Sequence, residues 1–122
     1  MKQEDKELLL RDLCARLPYH TIVNYRGANV DLTLYVRSVR LEDCKPYLRP
    51  MSSMTEEERL YFHRNSARVQ ILVDEERAIT KPFYGYTVHL LDWLNAHHFD
   101  YRGLIEKGLA LEAPEGMYDF KK

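Results

Sequence analysis

The chain is poor in the residues that build cross-links, nucleotide sites and membrane spans. Its two cysteines, Cys14 and Cys44, lie far apart and lack a CxxC spacing, which predicts two reduced thiols. The five glycines are scattered, so no phosphate-cradling loop is present. No apolar run approaches the roughly 20 residues that a membrane span needs. Because the first residues are also polar and unlike a signal peptide, we expect a cytoplasmic protein that has no membrane partner.

A strong excess of charge of either sign is also missing. The 18 basic and 19 acidic residues leave a net charge of −1, which argues against a protein that coats DNA. A hydrophobic fraction of 45% beside 30% charged residues is ordinary for a globular domain. The 122 residues therefore predict one folded domain over 1–122.

Helical periodicity is clearest at three places. Residues 3–17 place Leu10, Leu13, Cys14 and Leu17 on one face, with Pro18 ending the helix. Thr55 and Glu58 have the spacing of a capping box, which predicts a helix from there to about residue 64. A further helix is expected over 84–98, with Gly108 closing a short helix that Asp100 caps.

Strand patterns occupy much of the rest. Residues 20–40 predict a β-hairpin whose turn is Arg26–Asn29, followed by an alternating strand with four inward positions, Val30, Leu32, Leu34 and Val36. Residues 41–54 contain two prolines and are expected to be extended, in part as an edge strand. Residues 66–80 favour a strand over an extension of the preceding helix, and Leu109–Glu112 favours a last strand. The fold class predicted is α+β, a short antiparallel sheet of three or four strands packed by the helices at 3–17 and 84–98.

The sequence does not place a convergent catalytic or metal-binding set. His89 and Asp92 are three residues apart on a predicted helix and can meet, but a zinc or iron site needs three or four such groups. Cys14 is expected to be a small buried hydrophobe rather than a nucleophile. We therefore assign no catalytic residue, no metal ligand and no cofactor, and we favour a non-enzymatic role over a small hydrolase or metalloprotein that uses His89 and Asp92.

Trp93 lies opposite the predicted apolar stripe of its helix. Either Phe99, Tyr101 or Met117 covers it, or it anchors a partner. The candidate contact surface combines the segment 46–54 with this side of the helix, and its residues are Tyr47, Arg49, Met51, Trp93 and His97.

The hairpin carries a second candidate surface. Tyrosines beside arginines can stack bases and hold phosphates, and the predicted hairpin carries such pairs, Tyr25 with Arg26 and Tyr35 with Arg37. The same composition also occurs at protein interfaces and on solvated strand faces, so nucleic-acid binding remains the alternative.

Two stretches, Lys45–Glu58 and Asp92–Tyr118, resemble small proteins from gut-bacterial genomes and their phage-like or mobile elements. The resemblance covers about a third of the chain and implies a cytoplasmic prokaryotic or phage setting. It carries no assigned activity and hence no functional residues. We expect a protein-interaction or accessory module with an unidentified protein partner, and exposed strand edges leave homo-oligomerisation open.

Overall fold

The fold is α+β, as predicted from the sequence. The computed structural model describes residues 2–65 and 88–118. Within these residues the helices are α1 (Gln3–Arg16), α2 (Leu32–Tyr35), α3 (residues 56–65) and α4 (Val88–Ala96). The strands are β1 (Ile22–Tyr25), β2 (Ala28–Asp31), β3 (Cys44–Leu48) and β4 (Leu111–Glu112). The strand predicted over 66–80 and the first four residues of the helix predicted over 84–98 lie outside the described residues.

The four strands form one sheet in the order β2-β1-β3-β4. Strand β1 runs antiparallel to both β2 and β3, which matches the expected antiparallel sheet. Strand β4 pairs with β3 in the parallel direction, so the sheet is mixed. A parallel bridge between Arg49 and Phe99 continues the β3 side of the sheet and brings the end of α4 against it.

The second arm of the predicted hairpin is shorter than expected. Strand β2 ends at Asp31, and the chain then turns into α2, so the prediction of a strand through Val36 is wrong. The Asp31 carboxylate accepts a hydrogen bond from the Thr33 amide at 2.9 Å, which caps the helical turn. The chain therefore forms a helical turn instead of continuing as a strand, and Leu34 is 69% exposed.

Strand β3 is an interior strand rather than the predicted edge strand. Its Pro46 is fully buried opposite Val23 of β1. On the other side of β3, strand β4 pairs only with Tyr47 and Leu48. No hydrogen bond between β3 and β4 therefore requires the backbone amide hydrogen that Pro46 lacks. The extended conformation was therefore predicted correctly and its place in the sheet was not.

The buried face of α1 differs from the predicted one. It consists of Leu9, Asp12, Leu13 and Arg16, at spacings of three and four residues. Leu10 is 51% exposed, and Cys14 is exposed rather than buried. A purely apolar stripe misses this face because Asp12 and Arg16 bond to each other and so can be buried together.

The buried side chains form two clusters. The aliphatic core joins α1, the sheet and the C-terminal turns through Leu9, Leu13, Val23, Leu32, Cys44, Leu48, Leu104, Leu109 and Ala110. The aromatic core is built on α4 from Met54, Leu90, Leu94 and Phe99, with Met51, Tyr61, Phe62, Leu91, Trp93 and Tyr101 packed against it.

The predicted capping residues act as expected, but the short helix predicted after Asp100 is absent from the described residues, where the chain forms hydrogen-bonded turns instead. Thr55 and Glu58 bond reciprocally, with Glu58 N 3.2 Å from Thr55 Oγ1 and Thr55 N 2.9 Å from the Glu58 carboxylate. The Asp100 carboxylate accepts from the amides of Leu104 and Ile105, and Gly108 closes the following turn with a φ of 75°. None of the described helices is long and apolar enough to cross a bilayer.

Candidate functional site

The aromatic core has an open side around Trp93. The half-buried indole stacks on Tyr61 of α3 at 4.7 Å between ring centroids, and His97 lies at the same 4.7 Å. Phe99 lies beneath it at 5.7 Å, which confirms one of the three predicted covering residues. Tyr61 was missed, since it comes from another helix and no spacing pattern links it to Trp93.

We call this side the Trp93 surface and define it by Met51, Tyr61, His89, Trp93 and His97. All of these side chains except the exposed His89 are half-buried. His89 Nε2 lies 2.6 Å from the Tyr61 hydroxyl, so Tyr61 orients this histidine. The spacing of three residues had instead pointed to Asp92 as its neighbour. Stacked rings with hydrogen-bonded polar tips form a rigid amphipathic surface.

Arg49 supports this surface from below. Its guanidinium lies 4.2 Å from the centroid of the Phe99 ring and donates to both oxygens of Glu58 at 3.1 and 2.8 Å. Burial acts to raise the pKa of Glu58, but the hydrogen bonds from Arg49 and the Thr55 amide outweigh it and the net pKa is lowered. Because this charge is matched by Glu58, Arg49 is a structural link between α3 and the sheet.

Four of the five predicted interaction residues meet at the aromatic core: Arg49, Met51, Trp93 and His97 lie there, and Tyr47 does not. The Tyr47 hydroxyl accepts a hydrogen bond from the Asn24 side chain at 3.3 Å, over the sheet. Pro46, Leu48 and Met54 are buried, so the segment 46–54 is not a continuous contact surface. The candidate site is therefore smaller than predicted and centred on α4.

The four predicted nucleic-acid residues do not share a strand face. Arg26 lies over the Tyr25 ring at 5.2 Å and donates to Asp43 at 3.0 and 2.9 Å, so its charge is already paired. Tyr35 belongs to α2 and Arg37 follows it, both exposed and both beyond the end of β2.

A buried polar cluster joins the two cores and was not predicted. Arg16 and Asp12 are fully buried and bond through two contacts of 2.9 and 3.0 Å. Arg16 also donates to the Phe99 carbonyl at 2.7 Å, and Arg102 donates to Asp12 at 2.8 Å. The spacing of four residues between Asp12 and Arg16 was the available signal, but it is equally typical of exposed helical pairs.

A second polar group lies at the end of α4. His98 is 3% exposed, and its Nδ1 lies 3.1 Å from the Thr21 hydroxyl. Its ring stacks on Tyr118 at 3.7 Å with an angle of 17° between planes. Burial, reinforced by the charges of Arg16, His97 and Arg49, lowers the pKa of His98 to about 3. The imidazole is therefore neutral in the folded protein at pH 7.

Among the described residues, no three side chains of histidine, cysteine, aspartate or glutamate converge as metal ligands. The Trp93 surface itself offers stacked rings and the hydrogen-bonding tips of Tyr61 and His89. Comparisons of the chain with family models, with curated proteins and with solved structures find no match.

Proposed function

We propose that the protein is a non-enzymatic protein-interaction module of a bacterial, phage or mobile-element system, acting in the cytoplasm through the Trp93 surface. The observation that carries this proposal is Trp93, which is only partly buried and is held between Tyr61 and His97 on a packed aromatic core. Tryptophan and tyrosine dominate the energetics of protein interfaces because they bury much area and have few rotamers to lose.

Rigidity strengthens the proposal. Phe99 is fully buried under Trp93, and Arg49 lies over the Phe99 ring while it binds Glu58 of α3. The rings at the surface are thus ordered before a partner arrives, which lowers the entropic cost of association. The polar tips of Tyr61 and His89 would give such a contact its direction, since each can bond to a partner as well as to the other.

Nucleic-acid binding remains the second candidate because one basic region stays exposed. Arg37 and Arg40 are exposed beside Tyr35, which is 50% exposed. Phosphate contacts by these arginines would make binding fall steeply with salt, whereas a contact through Trp93 would depend on salt much less.

The test is capture of partners from native cells by tagged protein, with and without nuclease, followed by mass spectrometry. The informative variant is Trp93→Leu, which removes the indole and keeps an apolar side chain at the site. Its matched control is Leu34→Ser, which changes an exposed apolar residue on α2. Circular dichroism of each purified variant confirms that it is folded.

We expect a stoichiometric protein partner that survives nuclease, is lost with Trp93→Leu and is kept with Leu34→Ser. A partner that disappears on nuclease treatment, or one that is captured equally by both variants, would contradict the proposal. In the first case Arg37→Ala and Arg40→Ala become the informative variants, since they remove the exposed basic charges.

A further inference from the structure

His98 occupies a backbone position that usually belongs to glycine. At the end of α4 the Phe99 amide bonds to the Leu94 carbonyl at 2.9 Å, and the His98 amide bonds to the Asn95 carbonyl at 3.0 Å. This closure requires a left-handed residue, and His98 has a φ of 63°. A buried histidine in that conformation is costly, which points to a role for its ring.

The ring of His98 holds the last described turn of the chain. It stacks on Tyr118, whose hydroxyl accepts a hydrogen bond from the Ile22 amide at 2.7 Å and donates to the Tyr47 carbonyl at 2.8 Å. Tyr118 thereby ties the C-terminal turn, residues 114–118, to both β1 and β3. The Ile22 amide is a direct reporter of this attachment.

Within the part of the chain that the structure describes, charged groups on several elements act on these two rings. Arg16 of α1, Arg49 after β3 and His97 of the α4 terminus act on His98, and all three disfavour a positive imidazole. Asp31 of β2 faces Tyr118, and burial raises the pKa of that phenol, so Tyr118 stays a neutral hydrogen-bond donor. Asp12, the carboxylate next to Arg16, is already bonded to Arg16 and Arg102.

We propose that His98 is an acid-sensitive latch, and that protonation of its ring releases the C-terminal turn from β1 and β3. The closed state accepts only the neutral imidazole, because the ring is buried against Tyr118 and faces Arg16 and Arg49. Once Tyr118 leaves, the ring reaches solvent and takes up a proton from water. Release exposes the Ile22 amide and the Tyr47 carbonyl at the ends of the two strands.

The direction of the pH effect follows from linkage. The pKa of His98 is about 3 when the latch is closed, and we expect it to rise toward the ordinary value of about 6.5 once the ring is hydrated in the open state. The closing equilibrium is therefore independent of pH well above 6.5, and below this value it weakens by at most tenfold for each pH unit until the closed ring itself protonates.

The test is hydrogen exchange of backbone amides in the intact protein, followed by NMR and corrected for the intrinsic dependence on pH. Between about pH 7.5 and about pH 4.5, protection of the Ile22 amide should fall about a hundredfold. Amides within α1 should keep their protection over the same range. Loss of protection in α1 and at Ile22 together would mean global acid unfolding and would overturn the proposal, as would constant protection at Ile22.

Two variants, each at a histidine with a left-handed backbone conformation, distinguish the titration of His98 from that of another histidine. His98→Asn keeps a residue type that tolerates the left-handed backbone but cannot titrate, so Ile22 protection should become weak and independent of pH. The matched control His20→Asn changes an exposed histidine with a φ of 55° whose Nδ1 lies 2.8 Å from Asp31, the β2 residue opposite Ile22. It therefore tests whether this second nearby histidine sets the pH profile, which we expect to stay as in the wild type. A pH profile that persists in His98→Asn, or that vanishes in His20→Asn, contradicts the latch.

A third variant keeps the test decisive if His98→Asn does not fold. Tyr118→Phe preserves the stacked ring and removes the hydroxyl that binds Ile22 and Tyr47. The C-terminal turn, followed through the Met117 amide that bonds to Pro114, should then be less protected at every pH but keep the same dependence on pH. A Tyr118→Phe protein whose turn no longer responds to pH would show that His98 is not the titrating group.

Discussion

The aliphatic core and the aromatic core differ in how completely their side chains are shielded from solvent. The aliphatic core is closed by the sheet on one side and α1 on the other, with Leu9, Val23 and Leu48 fully buried. The aromatic core has a buried base of Leu90, Leu94 and Phe99, whereas the rings of Tyr61 and Trp93 above it are only partly buried. The aliphatic core is therefore closed to solvent, while the aromatic core leaves packed rings at the protein surface.

The buried polar cluster of Asp12, Arg16 and Arg102, which we call the polar joint, connects the aliphatic core to the aromatic core. Arg16 reaches from α1 to the Phe99 carbonyl, and its guanidinium lies 5.5 Å from the centre of the Tyr101 ring. Arg102 covers the same ring at 4.6 Å and completes the bonds of Asp12. Because the charges of Asp12 and Arg16 are fully buried, each depends on the other for its hydrogen bonds.

Breaking the joint should have the largest effect on stability. Asp12→Ala leaves the fully buried Arg16 without its carboxylate, so we expect the free energy of unfolding to fall by about 3–5 kcal/mol. Urea unfolding measures the loss, with Glu4→Ala on the exposed face of α1 as the control. A loss similar to that of the control would mean that the charge of Arg16 is compensated in another way.

Two truncations test whether side chains of the two cores differ in their contribution to the free energy of unfolding. Leu9→Ala opens a cavity at a fully buried position, and we expect a loss of about 2–5 kcal/mol in unfolding free energy. Trp93→Leu changes a larger side chain, but one that is already in part exposed and is replaced by another apolar side chain, so a loss of only about 1–2 kcal/mol is expected. Equal losses in urea unfolding would show that Trp93 belongs to the closed interior and not to a contact surface.

The smallest expected loss of stability concerns the ion pair between Arg49 and Glu58 under the Trp93 surface. Glu58→Gln removes the charge that pairs with Arg49, and we expect a loss of about 1 kcal/mol at pH 7. Since the pKa of Glu58 is lowered in the folded state, its contribution is present above the ordinary value of 4.5 and disappears as the pH falls through the folded pKa. Urea unfolding of both proteins over this range should show their difference shrinking toward zero, whereas a constant difference would exclude the charge as its cause.

Features that depend on neighbours in the chain were predictable. The bounds of α1, the capping box at Thr55 and the glycine closure at Gly108 all follow from contacts within one or two turns. The α+β class also followed, since periodicities of 3.6 and of two residues alternate along the chain. The second arm of the hairpin failed because Asp31 forms a cap that a count of alternating residues does not register.

The candidate site was predictable only in part. Trp93 and Phe99 are close in sequence, so their contact could be anticipated, whereas Tyr61 comes from a separate helix. The burial of Asp12 and the exposure of Cys14 were out of reach for the same reason. Each depends on which face of α1 the rest of the protein covers.

Local sequence was enough to start α3 at Thr55, to close a turn at Gly108 and to hold β1 and β3 extended, because caps and backbone preferences act within a few residues. The half-exposure of Trp93, the burial of the charge on Arg16 and the neutrality of His98 were decided by the folded molecule. The reason is physical: solvation and the local electric field at a side chain depend on groups that are distant in the chain and come together only when it folds.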